Sequence, residues 1–164
     1  MTAAPILRAA TPDDIETLAV VWHAGWRDGH IGHVPDAILP HRHLEDFRRR
    51  VPPRIPDTTV ATIEGQIVGF VTVIEDEVEQ VYVAAAARGT GVADALLRHG
   101  EQVVARRFDV AWLSVVAGNA RARRFYERSG WHDAGPIEYQ AEIAGGTIPV
   151  TCRRYEKEVR VPSR

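Results

Sequence analysis

At 164 residues the chain has the length of one globular domain, since domains run to roughly 100–200 residues and a chain of this size can bury most of its unfolded surface. Apolar residues make up 45% and charged residues 26%, which excludes disordered, collagen-like and low-complexity classes. With 20 basic against 22 acidic side chains the net charge is −2, too little positive field to hold a phosphate polymer or an anionic membrane, so neither nucleic acid nor membrane is an expected partner.

The first apolar run, residues 6–9, is ended by Thr11-Pro12-Asp13-Asp14, where a Thr cap, a Pro in the first turn and two acids predict a helix over about 12–28. Ile15, Leu18, Ala19, Trp22 and Trp26 recur on one face of it. A second helix is expected over 35–51, broken by Pro40, and the proline-rich stretch 52–56 reads as an extended connector. From Thr58 the period changes to two. Residues 58–64 and 67–74 form a hairpin about Gly65-Gln66, and 78–83 adds a third strand of the meander. A helix entered through glycine follows over 89–107, then an apolar strand at 110–116 expected to be buried on both faces. Asn119 opens a last helix that Gly130 closes, and 138–143 with 147–156, joined at Ala144-Gly145-Gly146, make a closing hairpin.

Cys152 is the only cysteine, which rules out an intrachain disulfide and a thiolate metal cluster and suits a reducing, cytoplasmic setting. Residues 1–14 have no basic and then apolar leader, and no run approaches the about 18 apolar residues that span a bilayer. Five of seven histidines fall between His23 and His43, without an acid or cysteine at a ligand spacing, so no metal site is expected. The run Arg48-Arg49-Arg50 reads as a solvated helix face, and the acids at 75, 76, 77 and 79 as a solubilising hairpin tip or an attractor of a cationic substrate.

The segment that carries chemistry is Arg88-Gly89-Thr90-Gly91-Val92-Ala93. Two glycines at the mouth of a helix leave amides uncovered by β-carbons, and the positive end of the helix dipole points at the same place. That is an anion cradle, though glycine at a helix entry is also plain punctuation. A Walker loop fails because no Gly-Lys-Ser/Thr follows and Lys157 is the only lysine. A dinucleotide fingerprint fails because Asp94 stands where a third glycine is needed.

Arg88-x-x-Gly91-x-Ala93 instead resembles the Arg/Gln-x-x-Gly-x-Gly/Ala motif of the GNAT superfamily of acyl-CoA-dependent N-acyltransferases. Asn119-x-x-Ala122-x-x-Phe125-Tyr126-x-x-x-Gly130-Trp131 is similar to that family's second signature, with Trp where Phe is usual. The resemblance implies a single domain over residues 1–164 with a mixed α/β (α+β) fold. A central, mostly antiparallel twisted sheet of about seven strands would be flanked by about four helices. It implies acetyl-CoA as co-substrate, its pyrophosphate on the amides of Gly89, Thr90, Gly91, Val92 and Ala93 beside Arg88, and its pantetheine arm on the backbone of Val81, Tyr82 and Val83. Asn119 would position that arm or a water, or simply cap its helix, and Arg124 would reach the ribose phosphate.

The implied reaction is N-acetyl transfer to a primary amine of a small molecule or peptide. Tyr126, a phenol with a pKa of about 10, would protonate the leaving sulfur, its plainer reading being a core aromatic. Glu79 would draw the amine proton through water, on one face with Val81 and Val83, whose apolar side chains would raise its pKa; the plainer reading is a solvated acid. Trp26 and His30 would touch the acceptor. Cys152 lies far from any catalytic histidine pattern, so a covalent acyl-enzyme is not expected. The alternative function is a non-catalytic acyl-CoA-binding or sensing module. A homodimer is neither required nor excluded.

Overall fold

The computed structural model describes residues 3–160. Its backbone is one seven-stranded sheet with helices on both faces; strands β1 (Ile6–Ala9), β2 (Thr58–Ile63), β3 (Gln66–Ile74), β4 (Glu77–Val83), β5 (Val110–Val116), β6 (His132–Ile143) and β7 (Gly146–Glu158) lie in the order β1-β2-β3-β4-β5-β7-β6. Strand β1 (Ile6–Ala9) leads through a 3-10 turn (Pro12–Asp14) into α1 (Ile15–His30). The Thr11 amide donates to Asp14 Oδ2 at 2.8 Å, and Arg8 holds the same carboxylate, so the acid expected in the first turn tethers the helix start to β1.

The region expected to be one broken helix is a 3-10 turn (Asp36–His41) followed by α2 (Leu44–Arg50). The connector after it is not extended. Pro52–Asp57 winds as a 3-10 turn, because proline's fixed φ suits a first turn, and the Thr58 hydroxyl donates to the Arg54 carbonyl at 2.7 Å, closing the segment.

The meander β2 (Thr58–Ile63), β3 (Gln66–Ile74) and β4 (Glu77–Val83) is antiparallel throughout, and its first hairpin turns on Glu64 and Gly65. Then come α3 (Val92–Ala105), β5 (Val110–Val116), α4 (Ala120–Arg128), β6 (His132–Ile143) and β7 (Gly146–Glu158). The closing hairpin is longer than its apolar alternation suggests. Strand β6 begins six residues early, passing Gly135 at a register shift and Pro136 on the sheet edge, where a missing amide costs no ladder bond.

Two cores result. Val71, Val73, Val78, Leu96, Leu97, Leu113 and Tyr155 pack between the sheet and α3, while Leu18, Trp22, Phe47, Val60 and Phe70 pack between its other face and α1 with α2. Among the described residues no helix is long and apolar enough to cross a membrane.

Candidate active site

The site begins where the sheet fails. Strands β4 and β5 are parallel and share a single register pair, Glu77 with Trp112, after which no ladder joins them. A register shift in the β3–β4 pairing starts the divergence. Thr72 faces Gln80 but Val73 faces Val78, so Glu79 is the extra residue of a bulge, and a bulge bends its strand. Val81, Tyr82 and Val83 therefore border a gap on their β5 side. Strand β5 is not buried on both faces as its sequence suggests: Ala111 and Leu113 are buried, but Trp112 and Ser114 are half-buried because β4 has peeled away from them.

The gap opens into a cavity of about 830 Å3 that runs from the α3 and α4 N-termini to α1 and α2. At the first end lies the glycine turn. Helix α3 starts at Val92, three residues after the expected position, because Gly89 and Gly91 hold φ of 77° and 85°. A β-carbon at either would meet nothing within 4 Å, so the turn faces open space. Among the described residues none of the backbone amides from Gly89 to Ala93 donates a hydrogen bond. Five uncommitted donors at a helix N-terminus are equipped to bind a polyanion. Gly89, Gly91 and Ala93 line the cavity, whereas Thr90 spends its hydroxyl on the Ala87 carbonyl and Val92 puts its side chain in the core. Arg88 lines the cavity too, with its guanidinium on Asp28 of α1 at 2.6 Å.

Asn119 caps α4 through Oδ1, which accepts from the Ala122 amide at 3.2 Å, and it also lines the cavity, as does the exposed Arg124 one turn later. Tyr126 lies further along the same helix among Phe125, Trp131 and Tyr155, with ring centroids 5.3–6.3 Å away. Its hydroxyl has no protein partner among the described residues, and it lines the cavity. Burial, with Tyr82 nearby, pushes this phenol above its ordinary value, so it is held protonated. Tyr82 itself is raised to about 12 by burial; it reaches the cavity because Gly25 of α1 leaves room where a side chain would overlap its ring.

Glu79 lines the cavity, but on the opposite face from Val81 and Val83, since the bulge breaks the period of two. Its surroundings are ionic. Glu79 Oε1 accepts from Arg54 Nε at 2.5 Å, a pairing across 25 residues that no local pattern announces. Burial pushes the neighbouring Glu77 carboxyl up to about 7 while the Tyr139 hydroxyl donates to it at 2.9 Å. Trp26 and His30 form a wall, their rings stacked 4.7 Å apart. His30 Nδ1 is 2.8 Å from the Trp26 carbonyl, which can only accept, so Nδ1 carries the proton and Nε2 a lone pair; burial lowers this imidazole to about 4 and keeps it neutral.

Among the cavity residues that the sequence reading does not single out are three arginines, Arg42, Arg50 and Arg54, from the turn before α2, the end of α2 and the segment after it. The run Arg48-Arg49-Arg50 reads as one solvated face, and Arg50 departs from it. In the structure Arg48 and Arg49 meet Glu16, Glu45 and Asp46 on the surface, while Arg50 is 7% exposed with its guanidinium 4.3 Å over the Trp22 ring. The available signal was spacing, since Arg50 follows Phe47 by three residues and shares its inward face.

Comparison with known proteins places this geometry. A family model described as Acetyltransferase (GNAT) family matches residues 21–131, about two-thirds of the chain. The chain belongs to the GNAT acetyltransferase family. A comparison with curated proteins finds no match. Among solved structures this GNAT chain is similar to a GCN5-related N-acetyltransferase from Rhodopseudomonas palustris, with TM-score 0.75 and 19% identity over 96% of this chain and 98% of the other. It is similar to the paia N-acetyltransferase of Thermoplasma acidophilum, solved in complex with coenzyme A, with TM-score 0.70 and 16% identity over 95% and 99% of the two chains. It is also similar to yncA of Salmonella typhimurium, solved with its cofactor acetyl-CoA, with TM-score 0.65 and 16% identity over 99% and 98%. As a GNAT member the protein is an acetyltransferase with a mixed α/β fold.

Proposed function

We propose that the enzyme moves an acetyl group from acetyl-CoA to a primary amine of a small molecule or peptide, by direct attack with both substrates bound. The observation that carries this is the single cavity joining the uncommitted amides of residues 89–93, the parted strands and Tyr126, whose hydroxyl has no protein partner among the described residues. Two of the similar structures were solved with coenzyme A or acetyl-CoA, which supports the same co-substrate here.

Acetyl-CoA supplies a diphosphate, a flexible pantetheine arm and an activated acetyl thioester. The amides of Gly89, Thr90, Gly91, Val92 and Ala93 bind the diphosphate, and the exposed guanidinium of Arg124 pairs with the ribose phosphate. Arg88 shares its charge between Asp28 and that diphosphate. The backbone of Val81, Tyr82 and Val83 offers ladder groups to the arm's amides, with Asn119 across the gap. As the N–C bond forms and the C–S bond breaks, Tyr126 gives its hydroxyl proton to the sulfur. Glu79 Oε2, the oxygen not held by Arg54, takes the amine's proton through water. Trp26 and His30 wall the acceptor.

Cys152 does not serve as a nucleophile. It lines the cavity but is buried, and burial pushes its thiol up to about 11, which leaves almost no thiolate at neutral pH. Cys152→Ala is therefore expected to keep kcat within about threefold of wild type in a thiol-release assay, since a nucleophile's loss would cost far more. The function itself is tested by calorimetry with acetyl-CoA, then thiol release over amines, amino acids, aminoglycosides, polyamines and peptide N-termini. Uptake with turnover on an amine is the expected result. No uptake would overturn the reading, and uptake without any acceptor would favour the sensing module.

A further inference from the structure

We propose that the acceptor amine is a small amino carboxylate, an amino acid or a compound like one, whose carboxylate is held by Arg42 and Arg50 at the α2 end of the cavity. This rests on the acetyl-transfer reading and names its substrate class.

The arginines at this end have more donor capacity and more charge than the protein uses. Arg42 is 3% exposed, and its one hydrogen bond among the described residues runs from Nη1 to the His41 carbonyl at 2.9 Å. Its Nε is buried without a partner, and no carboxylate of the described residues lies within ion-pair distance of it. Arg50 donates from Nε to Glu142 at 3.0 Å, while its Nη1 is buried without a partner. Arg54 is already committed, to Glu79, to Glu142 and to the Arg50 carbonyl. Three guanidinia thus have two carboxylates at pairing distance, Glu79 and Glu142, and Asp46 acts on Arg42 only from further away. Burial lowers Arg42 to about 10, which still leaves it charged at neutral pH.

A buried guanidinium with no anion beside it is costly to keep, and a planar fork of donors matches a carboxylate better than any other common anion. The neighbours favour the same ligand. Trp22 and Trp26 lie under the guanidinia at 4.3 and 5.8 Å, fixing their planes, and Ile38 and Val34 complete an apolar wall. Neutral His30 adds a hydrogen-bond acceptor in place of a further cation, suited to an amine N–H beside the carboxylate. Polyamines and aminoglycosides, which bring several positive charges, meet repulsion here.

The inference is tested on the wild-type enzyme with matched acceptors: an amino acid, its amide and its decarboxylated amine, each by thiol release at fixed acetyl-CoA. The acid is expected to have kcat/KM at least about tenfold above both others for the best side chain. Arg42→Met, similar in length but uncharged, is expected to raise KM for the acid by about tenfold with kcat within about threefold, and to leave KM for the amide unchanged. Binding is read separately, as the rise in melting temperature that the amino acid gives over its amide with coenzyme A present. Equal kcat/KM for the three acceptors, or an equal thermal shift from acid and amide, overturns the arginine site and leaves acetyl transfer standing. Absence of acetyl-CoA uptake overturns acetyl transfer, while the shift comparison still decides the arginine site.

Discussion

Gly91→Val is expected to weaken coenzyme A binding by about 10- to 100-fold, or about 1.4–2.8 kcal/mol, with the fold retained. At φ of 85° a β-branched residue is strained, so the turn must rotate to relieve it and the amides of residues 89–93 lose their common direction. The new side chain also projects into open space, which is the space a diphosphate would fill. The two effects act on the ligand more than on the core. Gly65→Val separates them from simple backbone strain, because Gly65 sits at φ of 78° in the β2–β3 turn, also faces open space, and lies outside the cavity. Calorimetry with coenzyme A on both variants checks the expectation. Both should lose stability, only Gly91→Val should lose affinity, and unchanged affinity in Gly91→Val would remove the cradle from the account.

Local grammar made much of this molecule legible. The meander from Thr58 to Val83 follows from β-branched alternation and turn residues, and α3 and α4 from glycine and Asn119 at their entries. The cofactor end of the site was legible for the same reason: it is built from consecutive residues, 88–93 and 119–126, whose chemistry is written in order. The acceptor end is not consecutive. Arg42, Arg50, Arg54, Glu79 and Glu142 come from five segments and meet only because α2 and the β6–β7 hairpin pack beside β4. Each alone looks like an ordinary surface charge. The face of Glu79 departs from the period of two because of a bulge that has no sequence mark here. Pro52 and Pro53 ended α2 as expected, yet proline excludes the α-helix interior more strongly than a short 3-10 turn, which is what formed.

Tyr126→Phe should lower kcat by about one to three decades, the usual size of a general-acid contribution, with coenzyme A affinity changed by less than about threefold. The ring keeps its packing against Phe125, Trp131 and Tyr155, and the hydroxyl makes no hydrogen bond to the described protein, so its removal leaves no orphaned partner and little stability is lost. The raised pKa bears on how the proton moves. A phenol harder to ionise than free tyrosine does not release its proton ahead of bond cleavage; it donates a hydrogen bond that strengthens as negative charge gathers on sulfur, which is where a transition-state contact gains rate. The pH profile follows with a definite sign. Tyr126 acts in its protonated form and loses that proton only above the ordinary value of about 10, so it gives no fall in kcat on the alkaline side up to about pH 9. The rate should rise with pH as the acceptor amine loses its proton and then stay level. Thiol release by wild type and Tyr126→Phe from pH 6 to 9 checks both claims. An alkaline fall in wild type that the variant lacks would show a phenol ionising in this range, contrary to its burial, and equal kcat in the two proteins would take the acid role from Tyr126.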